Sequence, residues 1–236
     1  MDNTTKTLDK LGIKQNDERL FRKFGTDNPT VFTENDVWMH MVKTRQQAYD
    51  LSRVYTVPCH NQPVWCNQRF VQTRTVIKVN GGCTLIYIGG EHEDSYDPDF
   101  MIYNDVIVET RADNQPTTFN IYGYPKDVFP CTDFHTATLV DDKIYIVGGL
   151  GYQKERMARK ECEIYTLDIK SFKIEKVTAT GDEPGPFYKH KAKYVPNEGK
   201  IYFTNCHSSH TLNLLSQDYM LDLNSMQWTA LPRANP

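Results

Sequence analysis

Residues 135–149 read HTATLVDDKIYIVGG, and this segment decides the fold of the chain. Two short apolar segments flank the polar turn Asp141-Asp142-Lys143, and a glycine pair follows the second of them. Alternating β-branched and aromatic residues on either side of a polar turn are typical of a β-hairpin. We therefore predict two antiparallel strands here.

The same features return in the same order about 55 residues later, where residues 190–203 read HKAKYVPNEGKIYF. Each copy continues with two more strand-like segments, such as Ile164–Asp168 and Phe172–Val177 in the first. A looser copy lies in phase between Arg74 and Tyr122. Repetition of a four-strand unit predicts about three blades of an all-β propeller.

The repeat resembles the kelch repeat, and the resemblance covers roughly residues 63–232. Its marks are a glycine pair after the second strand, a tyrosine on the third and a tryptophan on the fourth. The matching residues are Gly89-Gly90, Gly148-Gly149, Tyr103, Tyr165, Tyr219 and Trp228, with Ile174 in the tryptophan's place in the second copy. The third copy departs from the pattern, because Asn205 and Cys206 stand where glycines are expected. We interpret these marks as structural.

Three blades are fewer than the four to eight or so with which propellers close. Residues 53–58 have the form of the last strand of an incomplete blade. The sequence leaves three alternatives open: a small ring, a homo-oligomer or other propeller completed by strands of a partner chain, and an open array whose edges are covered.

The N-terminal segment is the predicted cover, and we place a helical segment at residues 1–50 before a kelch-repeat domain at residues 51–236. Leu8, Leu11, Leu20 and Phe21 suit a short amphipathic helix. Asn35 suits the N-cap of a second helix. These helices are expected to pack on a blade or to dock another protein.

Composition excludes some partners. The net charge of −3 offers no basic excess for nucleic acid. The apolar segments are strand-sized, far short of the roughly 20 residues that span a bilayer, and the first thirty residues hold no apolar leader. The six scattered cysteines predict reduced thiols. We expect a cytoplasmic protein that binds neither nucleic acid nor membrane.

The most charged segment, residues 91–99, follows the first glycine pair and is the predicted contact region of the protein. Loops that leave such strands gather at one end of a propeller. We expect a partner to bind here, although a solvated acidic loop or a site for a divalent cation explains the charge as well. The candidate binding residues in this segment are Glu91, His92, Glu93, Asp97 and Asp99.

Arg74, His135 and His190 recur near the start of each first strand. A structural role on the innermost strand explains them without chemistry. If that strand lines the channel, however, they converge with the acidic segment on one polar funnel. We therefore include them among the candidate binding residues and assign no catalytic residue, no metal ligand and no cofactor.

Three functions remain open from the sequence. The first is a kelch-type module that binds a protein or peptide through its loops and turns over no substrate. The second is a metal-assisted or sugar-directed enzyme, since kelch propellers resemble the folds of such enzymes. The third is a subunit of a larger propeller assembly.

Overall fold

The computed structural model describes residues 11–13, 17–48, 50–51, 64–94 and 97–233, and for residues 93–94 and 97–99 it describes the backbone. A 3-10 turn (Glu18–Leu20), helix α1 (Asp36–Thr44) and helix α2 (Gln153–Ala158) accompany the strands. The strands are β1 (Thr30–Val31), β2 (Thr73–Val79), β3 (Gly82–Ile88), β4 (Glu91–Asp94), β5 (Asp97–Ile102), β6 (Val106–Ala112), β7 (Thr118–Gly123), β8 (Thr136–Val140), β9 (Lys143–Val147), β10 (Ile164–Asp168), β11 (Ile174–Val177), β12 (Thr180–Gly181), β13 (Phe187–Tyr188), β14 (Lys191–Val195), β15 (Lys200–Thr204), β16 (His207–Ser208), β17 (Gln217–Asp222) and β18 (Gln227–Pro232).

Each of the three main sheets contains an antiparallel meander of four strands, which confirms the predicted blades, and β1 and β12 are added at the edges of the first and third sheets. Blade 1 contains β2, β3, β6 and β7; blade 2 contains β8 to β11; blade 3 contains β14, β15, β17 and β18. The first strands of neighbouring blades lie next to one another. The first strands are therefore the innermost strands of the array.

The strand register defines which residues are equivalent in the three blades. Thr73 pairs with Ile88, Thr136 with Val147 and Lys191 with Thr204, each at the start of a first strand. The registers also make Ile174 and Trp228 equivalent, as predicted.

One mark of the repeat was assigned to the wrong residue. Tyr165 and Tyr219 lie on the third strands of blades 2 and 3, but their counterpart in blade 1 is Ile107, not Tyr103. Tyr103 precedes β6, and its hydroxyl instead accepts a hydrogen bond from the Cys66 amide at 3.0 Å.

The blades are joined by apolar side chains that alternate across each sheet. Ile86 and Val108 of blade 1 pack with Ile146 and Leu167 of blade 2. Val147 and Ile164, on the opposite face of blade 2, pack with blade 3. Trp228 is 2% exposed in this second junction. Burial of such aromatic surface is the main stabilising contribution at the junctions.

The N-terminal segment covers blade 1 on the face that blade 2 leaves open. Asn35 caps α1 by accepting a hydrogen bond from the Trp38 amide, as predicted. The Trp38 ring stacks on Trp65 at 4.7 Å, in a cluster that includes Ile107 and Ile121 of blade 1. Strand β1 pairs with β7 and so protects the outer edge of the blade.

One helix prediction differs from the structure, and one helix was not predicted. Residues 18–20 form a single 3-10 turn and Phe21 forms a β-bridge with Val64, so no amphipathic α-helix continues there; Leu8 lies outside the described residues. The charged loop after the second glycine pair contains α2, whose residues are good helix formers. In the parts of the chain that the structure describes, neither helix is long and apolar enough to cross a bilayer.

Candidate binding cleft

A cleft of about 500 Å³ lies where the first strands of the three blades begin. Residues 71–73, 134–135 and 189–191 line it, one segment from each blade, together with Asn205 and His207. Its volume falls within the range of small-ligand and peptide pockets. The cleft is thus built by the repeat itself at the axis of the array.

An unusual backbone conformation shapes the cleft. Val71, Phe134 and Lys189 precede the three first strands by two residues, and their φ angles are 46°, 51° and 48°. Side chains other than glycine rarely adopt this left-handed region, least of all a β-branched residue such as valine. The same sharp bend in each blade directs the chain into its first strand. Strain repeated at the edge of a cleft is typical of binding sites.

Two histidines link neighbouring blades inside the cleft. The imidazole Nε2 of His135 lies 2.9 Å from the Thr73 hydroxyl, and that of His190 lies 2.8 Å from the Thr136 hydroxyl. In both rings the Nδ1 atom is buried and has no hydrogen-bond partner among the described residues. Each histidine thus hydrogen-bonds to the preceding blade through one ring nitrogen and buries the other.

Burial lowers the pKa of His135 to about 4. Burial, and secondarily His135, lowers the pKa of His190 to about 3. Both imidazoles are therefore neutral at neutral pH. Lysines supply the positive charge of the cleft, because Lys189 and Lys191 lie in its lining and none of the described lining residues is Asp or Glu.

The histidines also explain the glycine pairs. A Cβ at Gly89 would lie 2.5 Å from the Thr132 carbonyl oxygen and 3.2 Å from Cε1 of His135. A Cβ at Gly148 would lie 2.5 Å from the Phe187 carbonyl oxygen and 3.1 Å from Cε1 of His190. The first glycine of each pair therefore makes room for the backbone and histidine of the next blade.

Arg74 does not belong to this set. The register places it inside β2, where it is exposed and does not line the cleft. The counterpart of His135 and His190 in blade 1 is Gln72, which lines the cleft and donates a hydrogen bond to the Gly89 carbonyl at 3.3 Å. Arg74 lies two residues beyond this position, so the predicted match was wrong by two residues in the first strand of blade 1.

The acidic segment forms a hairpin rather than a loop. Strands β4 and β5 pair with a bulge, and Glu91 also bridges to Phe70. His92 is buried, and neither Glu91 nor His92 lines the cleft. The side chains of Glu93, Asp97 and Asp99 lie outside the described set.

No group of three described His, Cys, Asp or Glu side chains is arranged to hold a metal ion. Because four of the hairpin carboxylates, Glu93, Asp94, Asp97 and Asp99, lie outside that set, the divalent cation at residues 91–99 stays a prediction.

Exposed apolar side chains surround the same end of the blades. Phe70 precedes the first strand of blade 1, Phe100 and Met157 lie in connections after second strands, and Leu212 and Leu214 lie in the corresponding connection of blade 3. Phe70 is 65% exposed and Met157 is 53% exposed. Five exposed apolar side chains therefore lie at the end of the blades where the cleft is located.

Several lining residues, including Phe134, Lys189, Lys191 and His207, were not predicted from the sequence. The signal that identifies such lining residues is their position, because the residue that lies two before the start of each first strand has the same backbone conformation. That signal depends on the strand register, which the looser first copy obscured.

A family model described as the KLHDC2/KLHL20/DRC7 Kelch-repeats domain matches residues 23–236. Among solved structures, one titled "Structure of YjhT" is 12% identical, with a TM-score of 0.45. That match covers 71% of this chain and 53% of the other, so the chain spans about half the length of that structure. A search of the curated proteins finds no match.

Proposed function

Because the chain belongs to the family of the KLHDC2/KLHL20/DRC7 Kelch-repeats domain, we propose that it binds a segment of another protein at the loop-bearing end of its blades. The observation that carries this proposal is the cleft at residues 71–73, 134–135 and 189–191, where all three blades contribute. A protein partner suits this end, because apolar side chains are exposed around a polar centre.

The charges of the cleft favour an acidic segment. Lys189 and Lys191 are exposed cations at the cleft, and no described lining residue carries a carboxylate to neutralise them. Charge complementarity contributes mainly to specificity and to the rate of association. Phe134 and Val71 offer apolar contacts beside the lysines. We therefore propose an extended peptide segment that combines acidic and apolar residues.

The proposed location is the cytoplasm. Cys66, Cys83, Cys131, Cys162 and Cys206 are free thiols, and all but Cys83 are buried. Free thiols in most positions are expected in a reducing compartment. We propose no nucleic-acid or membrane partner, because the charge balance offers no excess of cations.

Peptide selection tests the proposed function. A displayed peptide library would be selected on the purified protein, and the binding of the selected peptides would be measured by fluorescence anisotropy. We expect acidic segments, and we expect the Lys189→Glu, Lys191→Glu double variant to bind them about tenfold or more weakly because repulsion replaces attraction.

Lys193→Glu is the matched control, since Lys193 is an exposed lysine of the same strand that does not line the cleft. It should bind the selected peptides nearly normally. Equal binding by the double variant and the unchanged protein would place the interaction surface elsewhere.

A further inference from the structure

The side chains of the first strands show where the array is open. Strand register makes Thr73, Thr136 and Lys191 equivalent. The Thr73 hydroxyl contacts His135 of blade 2. The Thr136 hydroxyl contacts His190 of blade 3 in the same way. Lys191 therefore points to the side on which a next blade would follow, and the described residues supply no further blade there.

The first strand of blade 3 carries lysines on this side. Side chains alternate across a strand, and Ala192 and Tyr194 of β14 pack in the junction with blade 2. Lys191 and Lys193 therefore point away from blade 2, and both are exposed. The residue of blade 2 that is equivalent to Lys193 is Thr138. A small hydroxyl side chain is thus replaced by a lysine where no blade follows.

The first strand of blade 1 carries cations on its side away from blade 2. Ile77 of β2 packs with blade 2, so Arg74, Val76 and Lys78 point the opposite way. All three are exposed, Val76 by 44%. Among the described residues, the cluster formed by the N-terminal segment includes side chains of β3, β6 and β7 but none of β2. The N-terminal segment therefore leaves this strand uncovered.

We call these two rows of side chains the open side of the array: Arg74, Val76 and Lys78 of β2, with Lys191 and Lys193 of β14. They border the sector that three blades leave open, because both strands begin at the cleft and β8 lies between them. Neither strand contains Asp or Glu. Charges placed only for solubility combine both signs, and the chain as a whole has a net charge of −3. A row of cations on each side of the sector therefore indicates an acidic partner.

The carboxylates near this side of blade 3 are already bonded within the chain. Glu198 accepts a hydrogen bond from the Tyr202 hydroxyl at 2.6 Å. Asp218 accepts one from the Asn205 amide at 3.3 Å, and Asp222 accepts two from amides of the turn that follows β17. By contrast, no described residue forms an ion pair with the cations of the open side. Their charge is therefore available to a partner.

We propose that the open side is a second interaction surface, on which an acidic segment of a partner protein lies along β2 and β14. Its carboxylates pair with Arg74, Lys78 and Lys193, and apolar side chains between the carboxylates contact Val76. The surface does not depend on the peptide proposed for the cleft, because none of these four residues lines the cleft.

The occupant is a protein segment rather than another kelch blade or a nucleic acid. At the junction of blades 2 and 3, a Cβ at Gly148 would lie 2.5 Å from the backbone of the next blade. Asn205, which has a Cβ, stands at the equivalent position of blade 3, so a further blade does not fit there in the same geometry. Val76 lies between two cations and favours a protein, because interfaces between proteins combine apolar and polar contacts. Nucleic acids are bound mainly through their phosphates.

Binding of an acidic polypeptide tests the open side on the full chain. The probe is a fluorescein-labelled random copolymer of glutamate and tyrosine, and its affinity is measured by fluorescence anisotropy. The Arg74→Glu, Lys78→Glu, Lys193→Glu variant should bind this copolymer about tenfold or more weakly, because repulsion replaces attraction at three positions. Since all three residues are exposed, the thermal unfolding of this variant should match that of the unchanged protein.

The matched control is the Lys143→Glu, Lys160→Glu, Lys173→Glu variant, which changes the net charge by the same amount at exposed lysines outside the open side. Its affinity for the copolymer should fall by no more than about twofold. Equal losses of affinity in the two variants would overturn the proposal, since they would attribute binding to the total charge of the protein. Tighter binding of a single-stranded oligonucleotide of equal charge would assign the surface to nucleic acid and overturn the proposal as well.

Cross-linking locates the copolymer on the unchanged protein, without the need for a folded variant. A carbodiimide joins carboxylates to the lysine amines that they contact, so mass spectrometry should find cross-links at Lys78 and Lys193 and not at Lys143 or Lys173. Cross-links that are spread evenly over the exposed lysines, or confined to the lysines of the cleft, would overturn the proposal. Peptides selected for the cleft should bind the open-side variant normally, so a failure of the cleft and a failure of the open side are distinguishable.

Discussion

At each junction between blades a glycine faces a histidine of the next blade, whereas the outer side of blade 3 has Asn205 in the glycine's place. The backbone is the same in both settings, since φ is 55° at Gly89, 68° at Gly148 and 58° at Asn205. Asparagine tolerates this conformation. Packing of the next blade, rather than backbone conformation alone, is therefore what excludes a Cβ at the junctions.

The junctions also differ from each other in their largest side chain, and this predicts the largest effect. Trp228→Ala should destabilise the protein by about 3 to 5 kcal/mol, because it leaves a cavity between blades 2 and 3. Ile174→Val, at the equivalent position of the first junction, should cost only about 0.5 to 1.5 kcal/mol. Urea denaturation measures both, and a near-neutral Trp228→Ala would show that the ring does not fill the junction.

The glycine comparison can be tested directly. Gly148→Ala should destabilise by about 3 kcal/mol, since the new Cβ meets the backbone of blade 3 and the left-handed conformation is strained. Asn205→Ala keeps the strained conformation without a neighbouring blade, so it should cost about 1 kcal/mol. Chemical denaturation of the two variants decides the point. Equal losses of stability in the two variants would show that the backbone conformation alone requires glycine at position 148.

The histidine links predict that acid weakens the junctions. Unfolded histidine takes up a proton near pH 6.5, whereas burial holds the pKa of His135 at about 4 and that of His190 at about 3. Stability should therefore fall as the pH drops below about 6.5, by up to about 1.4 kcal/mol per unit for each histidine.

Replacement of His135 should remove the contribution of this histidine to the pH dependence of stability. The destabilisation caused by His135→Gln should be smaller at pH 5 than at pH 7, as measured by denaturation at both values. His210→Gln, at an exposed position, is the control. It should change the free energy of unfolding by the same amount at pH 5 and at pH 7. A constant difference for His135→Gln would contradict the link.

The smallest effect concerns the register of blade 1. Arg74→Ala should change stability by no more than about 0.5 kcal/mol and leave peptide binding intact, because Arg74 is exposed and lies outside the cleft. Gln72→Ala should cost about 1 kcal/mol through the lost hydrogen bond to Gly89. Thermal unfolding and anisotropy test both. The reverse ranking would restore Arg74 as the counterpart of the histidines.

The sequence by itself determined the four-strand unit, its repetition and the capped helix at Asn35. These features are local, since alternation, polar turns and an N-cap act within a few residues of the chain. Trp228 and the glycine pairs were recognisable for the same reason. The error at Tyr103 arose in the copy whose strands match the pattern least.

Only the tertiary structure decided which residues share the cleft. Val71, Phe134 and Lys189 are unrelated side chains with one common backbone conformation, which shows no signature in composition. The Thr73 hydroxyl and the His135 imidazole belong to different blades, and their 2.9 Å contact depends on how two sheets pack. Long-range packing brings such residues together, and a pattern that extends over a few residues carries no information about it.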